Sequence, residues 1–216
     1  MPVVLSPRAL VTLEEVKAYM PSVLDDDPSN DPALIGLINS ESREIYRGTK
    51  REFIAAAQDP RLYDVTAEIA NLGRLHISDA TSITTVQVLN PAGQLVATIA
   101  APAYVELPRI REEWEPVTEL WFRQDVSSTA RLFDGCVVRV DATWGFPAVP
   151  DDIKHACKVF VARDFLRDLA RHSRTSRNLD SDTQAGLARD VRKALDTIDA
   201  YRRSGRSGTI TLEARP

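Results

Sequence analysis

At 216 residues, 44% of them apolar and 27% charged, the chain has room for one large domain or two small ones, and its usage excludes collagen-like and fully disordered classes. No apolar run approaches the roughly 20 residues needed to cross a bilayer, and Met1–Pro7 has neither a basic stretch nor a long apolar core, so a soluble protein made in a cytoplasm is expected. The net charge of −4 is uneven: residues 1–60 carry 10 acids against 6 bases, 61–150 carry 11 against 7, and 151–206 reverse to 9 against 13. Such asymmetry points to a charged partner or to head-to-tail contacts between copies.

The first third reads as helical. Thr12 and Glu15 have capping-box spacing, Leu13, Val16 and Met20 follow on one face, and Pro21 stops the helix. An acidic, turn-rich stretch, residues 25–32, leads to a second helix over Asp31–Arg47, with Asn30 or Asp31 as its cap and Pro32 in its first turn. Leu34, Ile35, Ile38, Ile45 and Tyr46 recur at helical spacing, and Gly48 is the expected residue after the helix end.

From Phe53 to Trp144 the pattern becomes short β-rich runs. Asp59-Pro60 marks a turn inside Ala56–Asp64, Leu75–Ser78 alternates, and Ile83–Leu89 is strongly β-branched. Asn90–Gly93 joins that run to Leu95–Ile99 as a hairpin. Further runs lie at Tyr104–Leu107, Leu120–Arg123 and Cys136–Thr143, for about six to eight strands in all.

Helices return after Pro150, whose successors Asp151 and Asp152 suit a first helical turn. Ile153, Cys157, Phe160, Val161, Phe165 and Leu169 form one apolar face; after a polar break at His172–Asp180, Leu187, Val191, Ala194, Leu195, Ile198 and Tyr201 form another. The fold class expected is α+β: a helical bundle of residues 1–50 and 148–204, a β-rich insertion over 51–147 between the second and third helices, and an extended tail over 205–216.

Chemistry is hard to find in the chain. His76, His155 and His172 lie in no metal-ligand spacing, no C-x-x-C occurs, and His155 and Cys157 point to different sides of a helix. Cys136 and Cys157 read as small buried hydrophobes. There is no nucleophile elbow and no phosphate loop, and Gly48-Thr49-Lys50 follows a helix instead of opening one. Asp25–Asp27, Asp151-Asp152 and Glu112-Glu113 with Glu115 are sequence neighbours, not carboxylates in different environments across a cleft, and the 25–31 loop lacks calcium-loop spacing. No catalytic residue, metal or cofactor is therefore expected. The remaining pattern is a basic stripe, Arg163, Arg167, Arg171 and Arg174, at helical steps of 4, 4 and 3. Interleaved Asp164 and Asp168, and the lack of interleaved aromatics, favour a solvated or subunit-facing surface over DNA recognition.

The segment Val138–Leu166, a strand ending in T-W-G-F-P followed by A-V-P-D-D-I and an Ala-rich apolar helix, resembles the head–tail connector (adaptor) proteins of long-tailed bacteriophages. Leu10–Met20 and the Asp-rich loop before Asp31–Arg47 are similar to the same family, so the resemblance covers the helical parts, about half the chain, and the insertion more loosely. It implies a virion structural protein, not an enzyme. In that role, a ring of about twelve copies docks on the portal, bridges it to a stopper or tail terminator and surrounds the path of the genome DNA. Assembly in the host cytoplasm and no membrane contact go with it. Trp144, Gly145, Phe146, Pro147 and Pro150 then form a structural hinge between insertion and bundle. Thr209, Ile210, Thr211 and Leu212 would add a strand to the portal, and the stripe at Arg163–Arg174 would face a subunit or the DNA. The alternative is another neck or tail component, a stopper or tail terminator, against which the flanking helices argue.

Overall fold

In a computed structural model the described residues are 3–20, 28–55, 60–113, 115–123, 132–172, 181–202 and 209–210. They form an α+β fold in which helices from both ends of the chain flank a β-rich middle, and the chain divides into two compact units. One comprises Met1–Arg51 with Val149–Arg203; the other comprises Glu52–Ala148 with Ser204–Pro216.

The helical unit starts with α1 (Leu13–Tyr19), whose capping box is complete: Thr12 Oγ1 accepts from the Glu15 amide and Glu15 Oε2 accepts from the Thr12 amide. A 3-10 turn (Pro28–Asn30) leads into α2 (Asp31–Thr49). Asn30 makes no side-chain cap bond there, so Pro32 at the helix opening is the stronger start signal. The expected terminator Gly48 is helical, and a β-carbon built there would lie 3.7 Å from the Ile198 side chain; the left-handed residue that ends the helix is Lys50, at φ 56°. Two polar side chains, buried Ser42 and half-buried Asn39, organise this unit. Ser42 Oγ accepts from the Leu10 amide at 3.1 Å and lies 3.8 Å from the Cys157 sulfur, and Asn39 exchanges hydrogen bonds with Ser6 and Val4. Leu34, Ile38 and Ile45 of α2 are buried, as are Ile153, Cys157, Val161 and Phe165 of α4 (Asp151–His172) and Ala194 and Ile198 of α5 (Ser181–Tyr201). Leu169 and Leu195, placed by their spacing on the apolar faces, are instead 39% and 51% exposed. Periodicity fixes a residue's direction on its helix, but burial also needs a partner covering that turn.

The β unit is a seven-stranded antiparallel sheet in the order β4-β5-β2-β6-β1-β7, with β3 also paired to β2. Its strands are β1 (Arg61–Asp64), β2 (Arg74–Leu89), β3 (Leu95–Ile99), β4 (Tyr104–Leu107), β5 (Val117–Phe122), β6 (Val137–Trp144) and β7 (Thr209–Ile210). The runs Leu75–Ser78 and Ile83–Leu89 are one long strand, β2, because the intervening Asp79 and Ala80 are themselves buried within it. One half of β2 pairs β5 and the other half pairs β3, while β6 runs along its opposite side. A short helix, α3 (Ala67–Leu72), stands where the β-rich pattern suggests none. Thr66 caps it and Gly73, at φ 66°, ends it. The β2–β3 hairpin forms as its sequence predicts: Asn90 Oδ1 accepts from the Ala92 and Gln94 amides, and Gly93 takes φ 77°. The turn at Asp59 lies outside the described residues.

A non-glycine residue in the left-handed region costs about 1–2 kcal/mol, part of which glycine would lose again through its freer unfolded chain. Lys50→Gly should therefore stabilise the protein by about 0.5–1 kcal/mol in urea unfolding, whereas Gly48→Ala, at a helical position with room for a methyl group, should do no harm.

Candidate functional surfaces

Three sets of residues singled out by sequence can now be placed. The T-W-G-F-P segment closes β6, with Trp144, Gly145 and Phe146 buried in the β unit and Pro147 exposed. Gly145 has φ 107°, and a β-carbon built there would lie 2.5 Å from the Ile54 carbonyl oxygen, so only glycine fits. Its amide donates to the Asp79 carbonyl at 2.7 Å, its carbonyl accepts from Thr81 Oγ1 at 3.0 Å, and the Phe146 amide donates to the Glu52 carbonyl at 3.1 Å. Phe53 packs on Phe146 with ring centroids 5.1 Å apart. The Arg61 guanidinium lies 4.4 Å over the Trp144 ring and pairs with Glu52 at 3.0 Å. The unit's incoming chain, residues 52–55, and its outgoing chain, residues 144–146, are thus bonded side by side. Pro150 immediately precedes α4 in the other unit, where it supplies the first helical carbonyl to the Lys154 amide.

The basic stripe on α4 is largely matched by acids. Arg163 Nε donates to Asp164 Oδ1 at 2.7 Å and its terminal nitrogen is 4.0 Å from Glu41. Arg167 reaches Asp164 at 3.5 Å and Arg171 reaches Asp168 at 3.5 Å. Arg174 lies outside the described residues. The stripe's charge is therefore mostly spent within its own unit, and it offers little unpaired field for phosphates.

Glu41, which sequence reasoning missed, faces Asp164 across α2 and α4, and both residues are more than nine-tenths buried. The signal was present: Leu34, Ile38, Glu41 and Ile45 fall at steps of 4, 3 and 4, so a carboxylate occupies a core position of the stripe. Burial, then the hydrogen bond with Asp164 and its repulsion, pushes Glu41 up to about 7 against the opposing pull of Arg163. Burial also pushes Asp164 up, but the Arg163 bond and charge, the hydrogen bond from Glu41 and the Arg167 charge outweigh it and hold Asp164 below its ordinary value. Glu41 thus holds its proton up to about neutral pH and donates it to an ionised Asp164 that two arginines clamp. It is an ion-paired strut between helices rather than a pair of carboxylates flanking a cleft.

The cysteines are buried and free, with burial raising the Cys136 thiol and pushing Cys157 up to about 12, so neither is a ready nucleophile. His155 packs edge-on against Tyr19 with centroids 5.7 Å apart, and His76 stands 3.6 Å from Glu119. Among the described residues no cluster of His, Cys, Asp and Glu has the makings of a metal site, and no helix is long and apolar enough to cross a membrane. In the tail, Thr209 and Ile210 lie opposite Tyr63 and Leu62 as an antiparallel strand on the chain's own β1; Thr211 and Leu212 lie outside the described residues. A strand held along one edge keeps its other edge for a second partner.

With this geometry in view, the chain is similar to chains of several solved structures, among them the following two. One is a chain in the neck of an empty gene transfer agent (GTA) particle computed with C6 symmetry, at a TM-score of 0.53, 15% identity, and coverage of 96% of this chain and 97% of that one. The other is a chain in the virion of a native gene transfer agent particle, at a TM-score of 0.52, 16% identity and the same coverage. The likeness is one of fold. No family model and no curated protein matches the chain.

The Glu41 strut makes a signed prediction. Between its ordinary value near 4.5 and its raised value near 7, the folded state binds more protons than the unfolded state, so stability falls as pH rises through that window. Glu41→Gln keeps the hydrogen bond without the charge. It should melt several degrees above the parent at pH 8, and the gap should close near pH 5, as read by calorimetry across that range.

Proposed function

We propose that the chain is a structural head-to-tail adaptor of a tailed phage or phage-like particle. The observation that carries this reading is the likeness of fold over nearly the whole chain, helical unit and β unit together, to a chain in the neck of a gene transfer agent particle. The segments Leu10–Met20 and Val138–Leu166, which resemble phage adaptors in sequence, add support from an independent direction. In this role the protein works by binding, not turnover: a ring of about twelve copies sits on the portal, carries the stopper or tail terminator on its other side and surrounds the DNA path. Its contact with DNA is non-specific, which suits a stripe in which Arg163, Arg167 and Arg171 are already paired with Asp164 and Asp168. The tail, Thr209–Leu212, makes the portal contact by adding its outer strand edge to the portal. Trp144–Pro147 with Pro150 is the hinge where the chain leaves the insertion. The mature location is the virion neck, reached from assembly in the host cytoplasm.

Purified protein mixed with the portal ring of the same particle should give rotationally symmetric extra density at one end of the portal by electron microscopy. The same protein lacking residues 205–216 should leave the portal bare while keeping its helical circular dichroism. Bare portals at high excess of the intact chain would contradict the adaptor reading and favour a stopper or tail terminator.

A further inference from the structure

Residues 80–105 contain no Asp, Glu, Lys, Arg or His, the longest such run in a chain that is 27% charged. Were this stretch buried, its composition would need no explanation. Yet it is the β2–β3 hairpin and the link to β4, and residues 91–96, 98 and 100–102 are exposed. Leu95 and Val96 are 58% and 53% exposed on β3, and among the described residues β3 pairs with β2 alone, leaving its outer edge open.

Exposed strand edges are ordinarily blunted by charge, proline or cover. The other edge on that side of the sheet shows these devices. β4 carries Glu106, paired with Arg111 at 3.3 Å, runs into Pro108, and is followed by Arg109, whose guanidinium lies 5.6 Å over Trp121. β3 has none. The other exposed apolar residues of the β unit stand among charges: Ile110 lies between Arg109 and Arg111, Phe133 precedes Asp134, and Leu72 lies two residues before Arg74. In the helical unit Leu169 follows Asp168 and Leu195 precedes Asp196, and the exposed pair Val3 and Val4 lies ahead of α1, outside any strand. The hairpin is thus the most extended exposed surface among the described residues that is both apolar and free of charge, and it presents an open strand edge.

We infer that this hairpin is the contact between neighbouring copies of the chain, the open edge and exposed side chains of β3 seating against the next subunit. The inference rests on the adaptor reading and names the surface that closes its ring. A ring of identical copies needs a heterologous interface, and the centre of a stable interface is depleted of charge and enriched in apolar area. A strand edge adds main-chain hydrogen bonds that require no complementary charge. DNA is a poor occupant for the same surface, which offers no cation to a phosphate.

The test pairs Leu95→Asp/Val96→Asp with Leu72→Asp as a control at an exposed apolar site outside the hairpin, both compared with the parent chain on portal rings. Melting temperatures of all three should agree within a few degrees, because the three side chains are mostly in water. The parent and the Leu72→Asp protein should give closed rings on the portal. The double variant should bind as scattered single copies, with ring closure reduced at least tenfold in image classification. Hydrogen exchange should slow at least tenfold over residues 95–99 when the parent assembles, and should not slow when the double variant docks. Closed rings from the double variant would overturn the inference. Its complete failure to reach the portal would also overturn it, by assigning the hairpin to the portal. Absence of rings from the parent itself would instead remove the adaptor reading on which the inference stands.

Discussion

The β unit depends on one close approach of backbone to backbone. An inserted domain must bring its first and last residues together, and here that is done where Gly145 lies against the carbonyl of Ile54. The absence of a side chain lets the two strands of chain meet, and the conformation at φ 107° turns the Gly145 and Phe146 amides toward Asp79 and Glu52. The aromatic groups on either side then have a fixed frame: Trp144 against Tyr63 and the Arg61 guanidinium, Phe146 against Phe53. Burial of two such rings is worth several kcal/mol, but only if the turn between them can form.

The helical unit is held differently, by apolar stripes stitched with a few buried polar groups. Ser42 secures the chain ahead of α1, and Glu41 with Asp164 and Arg163 links α2 to α4. Breaking one partner of such a cluster costs more than the cluster contributes, because the remaining charge stays buried without compensation. The same pairing leaves the described part of the basic stripe with little unmatched charge, because Asp164 takes Arg163 and Arg167 and Asp168 takes Arg171.

Much of this was legible in the sequence, for identifiable reasons. Elements with chemical punctuation were readable: the Thr12–Glu15 box, Pro32, the Asn90–Gly93 turn, and Pro150 with its two aspartates. Where tertiary burial overrode local chemistry, the reading failed. Leu75–Ser78 and Ile83–Leu89 read as separate runs, but Asp79 and Ala80 are buried between them inside β2, and Gly48 reads as a terminator but is helical within α2. Leu169 and Leu195, read by their spacing onto the apolar faces, are exposed. The candidate surfaces divide the same way. T-W-G-F-P reads as a sharp aromatic turn, but its obligate neighbour at Ile54 is a long-range contact that no local pattern carries. Glu41 was readable from spacing alone, as a carboxylate in an apolar stripe.

The central claim is that Gly145 joins the entry and exit of the β unit and that the buried aromatic frame follows from it. The most direct measurement is urea unfolding of Gly145→Ala, followed by tryptophan fluorescence and by amide exchange in β6 and residues 52–55. The account predicts a loss of about 3 kcal/mol or more, with exchange accelerated in both segments, since a methyl group at 2.5 Å from a carbonyl oxygen must separate them. An alanine variant as stable as the parent, with both segments still protected, would contradict it.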